Sequence, residues 1–223
     1  MTTDLLTTWT DGDWESREIT NPRKPSNISI VLDMLETTRE IPGDVAECGI
    51  FRGSSLAAIA AKLRSLGSRK GLWAFDSFQG LPAPKEADTQ LVDGAQNRKA
   101  AQGYFGDTSI ELVRRKLEAV AYEGPVHVVP GWFQDTLSKA PARLSLAFLD
   151  CDFYESYQIC LRELWPRLSV GGVMIFDEYY SIKYPGARKA IDEYFADKKD
   201  KPTLAPQYLK DNSFERWYAR KTA

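Results

Sequence analysis

Short apolar runs alternate with segments of helical periodicity along most of the chain. Runs of about five residues indicate strands, and they lie within "GDVAECGIF", "GLWAFDSF", "PVHVVPGW", "LSLAFLD" and "GGVMIFDEY". Between them apolar residues recur on one helical face, as Leu56, Ile59, Ala60 and Leu63 do. Strands that alternate with helices predict a doubly wound α/β fold with a mostly parallel sheet. The length suits a single domain over residues 1–223.

Other segments add to this pattern. Thr108 and Glu111 have the spacing of a capping box at a helix start. The stretch "ISIVLDMLETT" predicts a helix that covers the sheet or forms a subunit interface, and "NSFERWYARK" is expected to pair antiparallel at the sheet edge. Residues 81–107, rich in Pro, Gly and Ala, interrupt the step from the second strand to the next helix. They indicate an insertion or lid, with a tolerated surface loop as the alternative.

Composition and charge narrow the function classes. A hydrophobic share of 43% is typical of a folded protein, and a net charge of −2 supplies no basic surface for nucleic acid. No apolar stretch reaches the roughly 20 residues that cross a bilayer, and "MTTDLLTTWTDGD" lacks the features of a signal peptide. We therefore expect a cytoplasmic protein with neither nucleic acid nor membrane as partner.

The cysteines and the histidine give little sign of catalysis. Cys48, Cys151 and Cys160 lie in apolar patterns without zinc spacing, which indicates buried thiols in a reducing compartment. His127, the one histidine of the sequence, lies in a predicted strand. A His-based triad is therefore disfavoured.

Candidate binding residues follow the first three predicted strands, because ligands of such folds bind at the carboxyl ends of the strands. Gly49 and Gly53, in "ECGIFRGSS", let the backbone approach a ligand, although a turn with a purely steric need for glycine is the alternative. Glu47 suits a ligand with a cationic or amino group, such as S-adenosylmethionine (SAM). Asp76 can accept both hydroxyls of a ribose, with a helix cap as the alternative. "GWFQDTL" offers two aromatic residues that flank an adenine or belong to the core.

Acidic residues follow the fourth and fifth predicted strands. Asp150 and Asp152 end one, and Asp177 and Glu178 end the other. Carboxylates that meet at one sheet edge repel or take up protons, and a divalent cation removes this conflict. Oxygen ligands favour Mg²⁺, with Mn²⁺ or Ca²⁺ as alternatives, over zinc. Helix caps and surface acids are the other explanation, and Glu155 fits the first turn of the next helix.

Taken in order, these motifs resemble those of the macrocin O-methyltransferase family. The match extends over roughly residues 40–197, through "GDVAECGIFRGSS", "AFDSFQGLP", "GWFQDTL", "LDCDFYES", "LWPRLSVGGVMIFDEY" and "GARKAIDEYF". The resemblance implies the Rossmann-like class I methyltransferase fold, with a mostly parallel seven-stranded sheet. It also implies Mg²⁺-dependent transfer of a methyl group from SAM to a hydroxyl, one of a vicinal pair, on a sugar or other natural product.

The resemblance also implies site residues. The candidate cofactor-binding residues, including neighbours of the matched positions, are Glu47, Gly49, Arg52, Gly53, Ser54, Ser55, Asp76, Ser77, Phe78, Trp132, Phe133 and Asp150. The implied metal ligands are Asp150, Asp177 and Glu178, and the implied general base is Asp152, for which an outer-shell or helix-capping role is the alternative.

Some positions depart from the family pattern. Cys151 stands where the family usually has glycine, Glu178 stands where it usually has aspartate, and the amino-terminal region is short. Two other functions stay open at this point: a metal-dependent glycosyltransferase that uses the acids at 150–152, and an inactive binding protein on the same fold. A homodimer is open as well.

Overall fold

In the computed structural model, residues 28–89, 101–181, 183–205 and 216–223 are described. The strands are β1 Asp44–Cys48, β2 Leu72–Asp76, β3 Val126–Pro130, β4 Leu144–Leu149, β5 Leu168–Phe176, β6 Thr203–Leu204 and β7 Trp217–Arg220. The α-helices are α1 Ser29–Thr37, α2 Ser54–Ser65, α3 Glu86–Thr89, α4 Ile110–Val120, α5 Phe133–Thr136, α6 Tyr154–Leu164 and α7 Pro185–Phe195.

The strands form a seven-stranded sheet in the order β3-β2-β1-β4-β5-β7-β6. β1 to β5 pair in parallel, and β7 runs antiparallel to both β5 and β6. The predicted mostly parallel α/β architecture is confirmed. The expectation that the carboxyl-terminal strand lies at the sheet edge is wrong, because β7 lies between β5 and β6. With two residues, β6 is too short to show an alternating pattern in the sequence.

Apolar side chains from the two faces of the sheet form two core clusters. Val45 packs in a cluster with α1, α2 and α4, and its neighbour Ala46 packs in a cluster with α6 and α7. This division follows from the alternation of side chains along a strand. The helix predicted in "ISIVLDMLETT" thus covers the sheet with Ile30 and Val31, which are fully buried. None of the described helices is long and apolar enough to cross a membrane.

The start of α4 differs from the predicted capping box. Ser109, and not Thr108, is the N-cap residue, and its Oγ accepts a hydrogen bond from the Leu112 N–H at 3.1 Å. The Thr108 hydroxyl donates instead to the carbonyl of Phe51. A shift of one residue therefore ties α4 to the turn that follows β1.

The three cysteines are buried in the core, whereas the histidine is an exposed residue of β3. Cys48, Cys151 and Cys160 are buried thiols, as predicted. Burial raises the pKa of Cys151 to about 12, so this thiol stays protonated at neutral pH. His127 lies in β3, where its ring stacks on Trp73 with 3.9 Å between the ring centroids.

Candidate active site

A glycine turn joins β1 to α2 and lies against the end of β4. Gly49 has a φ of +84°, and a Cβ on it would lie 1.7 Å from the Asp150 carbonyl oxygen. Gly53, with a φ of +76°, precedes α2 and provides no side-chain cap. Glycine is therefore required at 49 by a backbone contact, and α2 begins without a side-chain cap on its first N–H groups.

Asp76, at the end of β2, holds this turn in place. Its Oδ2 accepts hydrogen bonds from the N–H groups of Ile50 and Phe51 at 2.8 and 3.0 Å, and its Oδ1 accepts one from Phe78 at 2.7 Å. A carboxylate offers about four acceptor positions. Three of these positions accept hydrogen bonds from the protein, so about one acceptor position is left for a hydroxyl of a ribose. Its neighbour Ser77 donates to the Gly80 carbonyl at 2.9 Å.

Polar residues beneath the turn connect β1, α2 and α4. Glu47 is fully buried and its Oε1 accepts a hydrogen bond from the Ser55 hydroxyl. Lys116 of α4 donates from Nζ to the Ser54 hydroxyl at 2.7 Å. This ammonium group adds positive charge beside the amino end of α2, where the helix dipole is positive as well. Lys116 belongs to no motif that predicts this role in the sequence, because its contact with Ser54 depends on how α4 packs on α2.

The second part of the predicted insertion packs on the turn. The Arg52 guanidinium pairs with the Asp107 carboxylate, and its Nε donates to the Asp107 carbonyl at 3.1 Å. The ring of Phe51 meets that of Phe105 edge to face, with 5.2 Å between centroids. Arg52, a candidate cofactor residue, thus contacts the insertion in this structure.

The first part of the insertion is anchored through a buried acid. Asp88 accepts hydrogen bonds from the N–H of Tyr154 at 2.8 Å and from the N–H of Lys85 at 2.9 Å. A Cβ on Gly186 of α7 would lie 2.1 Å from its Oδ1. Burial raises the pKa of Asp88. Residues 81–89 and 101–107 are thus attached to the framework, and residues 90–100 lie outside the described part, so a lid movement stays a prediction.

Three acids meet at the carboxyl ends of β4 and β5. Leu149 pairs with Phe176 in the parallel register, so the residues that follow are brought side by side. One carboxylate oxygen from each of Asp150, Asp177 and Glu178 lies within 4.8 Å of the others. The structure therefore brings together the three residues that the sequence grouped as metal ligands.

Glu178 is the most buried of these acids. It is 3% exposed, and its pKa lies well above the usual value because of burial first and the charges of Asp150 and Asp177 second. The Tyr157 hydroxyl, from α6, lies 2.5 Å from its Oε2 and 2.8 Å from the Leu149 carbonyl oxygen, and its one proton can be donated to one of them. Tyr157 supports the site, although in the sequence it looks like an ordinary apolar-face residue.

Asp177 is paired with Arg216, the residue before β7. Nη2 of Arg216 lies 3.0 Å from Oδ1 of Asp177, and Nη1 donates to the Asp177 carbonyl at 3.1 Å. The sequence predicts a strand in "NSFERWYARK" but does not predict this contact. It follows from the pairing register, which the sequence does not reveal.

Asp152 lies beside the three acids in a left-handed backbone conformation. Its φ is +59° and it is 8% exposed. Its pKa is raised to about 8, by burial first and then by the charges of Asp177, Asp76 and Asp88. A carboxyl group with such a pKa takes up a proton near neutral pH, unlike an exposed aspartate.

The two candidate adenine neighbours lie at the start of α5. Trp132 precedes the helix and is half-buried, and Phe133 packs against the core cluster of α6 and α7. The core explanation therefore fits Phe133. Contact of Trp132 with an adenine stays a prediction.

A glycine turn and a cluster of carboxylates thus share one edge of a doubly wound sheet. A family model described as Macrocin-O-methyltransferase (TylF) matches residues 22–205. The chain belongs to this family. The similarity of this family member to the family therefore extends beyond the short motifs to most of the chain.

Named relatives agree with the family assignment. One is the 8-demethyl-8-(2,3-dimethoxy-alpha-L-rhamnosyl)-tetracenomycin-C 4'-O-methyltransferase of Streptomyces olivaceus, which is 38% identical over 157 residues, or 69% of this chain. Another is the demethyldecarbamoylnovobiocin O-methyltransferase of Streptomyces niveus, 35% identical over 172 residues, or 70% of this chain. The chain covers 58% and 59% of these two proteins, so it spans about three fifths of the length of the curated relatives it matches.

A solved structure supports the fold. The O-methyltransferase NovP superposes with a TM-score of 0.71 and 32% identity over 88% of this chain and 79% of NovP. The predicted class I methyltransferase fold of this family member is confirmed.

Proposed function

We propose that this protein transfers a methyl group from SAM to a hydroxyl, one of a vicinal pair, on a sugar or sugar-bearing natural product, with the help of a divalent cation. The observation that carries the proposal is the meeting of the glycine turn with Asp150, Asp177 and Glu178 at one sheet edge. The names of the relatives support the reaction and the acceptor class, since both describe O-methylation of natural products. They disfavour the glycosyltransferase alternative.

The turn after β1 fits the methionine end of SAM. A Cβ on Gly49 would meet the Asp150 carbonyl and one on Gly53 would meet Val113, so the two glycines allow the tight path of the turn, and the amino end of α2 suits a carboxylate. The Lys116 ammonium group adds to this positive field. Asp76 fixes the turn with three accepted hydrogen bonds and has about one acceptor position for a ribose hydroxyl.

The acid cluster fits a hard divalent cation. Its donors are all carboxylate oxygens, which Mg²⁺, Mn²⁺ and Ca²⁺ prefer. Burial first, and the charges of the neighbouring acids second, raise the pKa of Glu178, and a bound dication would offset the repulsion between these carboxylates. Glu178 stands where the family usually has aspartate. A carboxylate oxygen of its longer side chain still lies within the cluster, so glutamate at this position is compatible with a ligand role.

The roles of the residues follow from these positions. When bound, SAM would supply an activated methyl group, and the cation would supply Lewis acidity that lowers the pKa of a hydroxyl. Asp150, Asp177 and Glu178 would hold the cation and thereby orient the acceptor. Asp152 would accept the hydroxyl proton; its pKa of about 8 in the protein without a cation supports this role, because a base works best with a pKa near the working pH.

Thermal unfolding with candidate ligands tests the binding part of the proposal. S-adenosylhomocysteine (SAH) should raise the melting temperature, since a ligand that binds only the folded state stabilises it. Mg²⁺ should raise it after treatment with EDTA, and a nucleotide sugar alone should not. Stabilisation by the nucleotide sugar and none by SAH would contradict the proposal.

Transfer of a labelled methyl group from SAM to a panel of sugar diols and catechols tests the reaction. We expect transfer to at least one diol, lost in EDTA and restored by Mg²⁺, and lost in Asp150→Asn. Glu123→Gln is the matched control, because Glu123 is an exposed acid paired with Arg69 at 2.6 Å. Full activity of folded Asp150→Asn would overturn the metal assignment, and SAH binding without any transfer would favour an inactive binding protein. Cytoplasmic location and a homodimer stay predictions.

A further inference from the structure

We propose that Arg216 is a positioning residue for the metal ligand Asp177. Its guanidinium group fixes the carboxylate of Asp177 in one orientation, so that this ligand is in place before a cation arrives. The inference rests on the proposed metal site and adds a residue that lies outside the matched range 22–205.

The contact is double and largely buried. Nη2 of Arg216 reaches Oδ1 of Asp177 at 3.0 Å, and Nη1 donates to the Asp177 carbonyl at 3.1 Å. The side chains of Arg216 and Asp177 are 7% and 18% exposed. Hydrogen bonds between charged groups are about twice as strong as neutral ones. Two nitrogens thus hold both the side chain and the main chain of one ligand residue.

The register of β7 delivers Arg216 to this position. Trp217 pairs antiparallel with Phe176, so the residue before β7 lies opposite the residue after β5. The Arg216 carbonyl also accepts a hydrogen bond from the Ala205 N–H at 2.9 Å, which links it to the end of β6. A slip of one residue would turn the Arg216 side chain to the other face of the sheet. The carboxyl-terminal strand therefore serves the site as well as the sheet.

Asp177 can pair with Arg216 and bind a cation at the same time. The ion pair uses Oδ1, and a carboxylate that gives one oxygen to a guanidinium has a second oxygen to give to a metal. A carboxylate without such a partner rotates, and its ordering on metal binding costs free energy. Loss of an outer-shell partner typically costs about 10–100-fold in metal affinity or activity.

A purely electrostatic effect would have the opposite sign. Removal of a positive charge beside three carboxylates strengthens the attraction for a dication. The direction of the change in metal affinity therefore separates orientation of the ligand from competition by charge.

Titration of Mg²⁺ into the whole chain, followed by calorimetry, tests the proposal. In Arg216→Met, which keeps a long side chain without charge, we expect the Kd for Mg²⁺ to rise about 10–100-fold, with the Kd for SAH unchanged. Arg216→Lys should lie between Arg216→Met and the wild type, because a single ammonium group replaces a planar fork. Arg220→Met is the matched control: Arg220 lies on the same strand and donates to the Gly171 carbonyl at 2.6 Å, away from the acids.

Each outcome decides the matter. Suppose that the wild type binds Mg²⁺ and Asp150→Asn does not. An Mg²⁺ affinity of folded Arg216→Met that equals or exceeds that of the wild type would then overturn the role of Arg216 but not the metal site. Absence of Mg²⁺ binding to the wild type would overturn the proposed metal site and this inference with it. If Arg216→Met fails to fold, as judged by circular dichroism, wild-type affinity in Arg216→Lys would overturn the proposal.

Discussion

Asp152 combines a left-handed backbone conformation with a buried carboxyl group. Its pKa of about 8 stands above the usual 3.8, so between these values the folded protein holds a proton that the unfolded chain releases. The unfolding free energy therefore falls as the pH rises through this window, by up to about 1.4 kcal/mol per pH unit for one proton. Glu178 acts in the same direction, because its pKa is raised as well.

We predict that in EDTA the wild-type melting temperature falls between pH 5 and pH 8, and that Asp152→Asn falls less steeply. The amide removes one titrating group and keeps the shape of the side chain. Differential scanning fluorimetry across this pH range measures both slopes. Equal slopes for the two proteins would show that the Asp152 carboxyl group is not protonated in the folded state.

The turn from β1 to α2 shows how one element constrains another. Gly49 is pressed against the end of β4, at the residue that begins the acid cluster. Gly67 follows α2 with a φ of +63°, and nothing lies within 4 Å of a Cβ built on it. These glycines share a positive φ, but only Gly49 has a steric reason to lack a side chain.

We predict that Gly49→Ala loses SAH binding and several kcal/mol of stability, because the new Cβ would lie 1.7 Å from the Asp150 carbonyl oxygen and force β1 and β4 apart. Gly67→Ala should cost only about 1–2 kcal/mol, the strain of alanine at positive φ. Urea unfolding and calorimetry with SAH give both quantities. Similar losses in the two variants would mean that backbone strain, and not the contact with Asp150, makes Gly49 necessary.

The elements divide into parts that the sequence predicts and parts that it does not. β1, β2, β4 and β5 are predictable because each buries apolar residues, and the half-exposed β3 is predictable from its valines. Asp150, Asp177 and Glu178 are predictable because they directly follow two of the buried strands. Tyr157 and Arg216 are not, since their contacts with Glu178 and Asp177 depend on helix packing and strand register. The sequence predicts Asp76 at the end of β2, where the structure has it, but its three hydrogen bonds to the turn depend on a backbone path that residue types do not specify.

At the scale of the whole molecule, the parallel strands bring two candidate sites to one edge of the sheet. The glycine turn lies between β1 and α2, and the acids directly follow β4 and β5. Because β4 pairs with β1 on one side and with β5 on the other, the turn and the acids lie next to each other. A cofactor and a cation bound at these places would lie side by side. This arrangement is what the proposed methyl transfer requires.

Broadening of SAH proton resonances by Mn²⁺, recorded by NMR with the whole chain, tests this arrangement most directly. A paramagnetic ion broadens the signals of protons close to it, so Mn²⁺ in the acid cluster should broaden those of bound SAH. The broadening should be reversed by excess Mg²⁺ and be absent in Asp150→Asn, while Glu123→Gln should behave like the wild type. Bound SAH that keeps sharp resonances in the presence of Mn²⁺ would contradict a shared site for cofactor and cation.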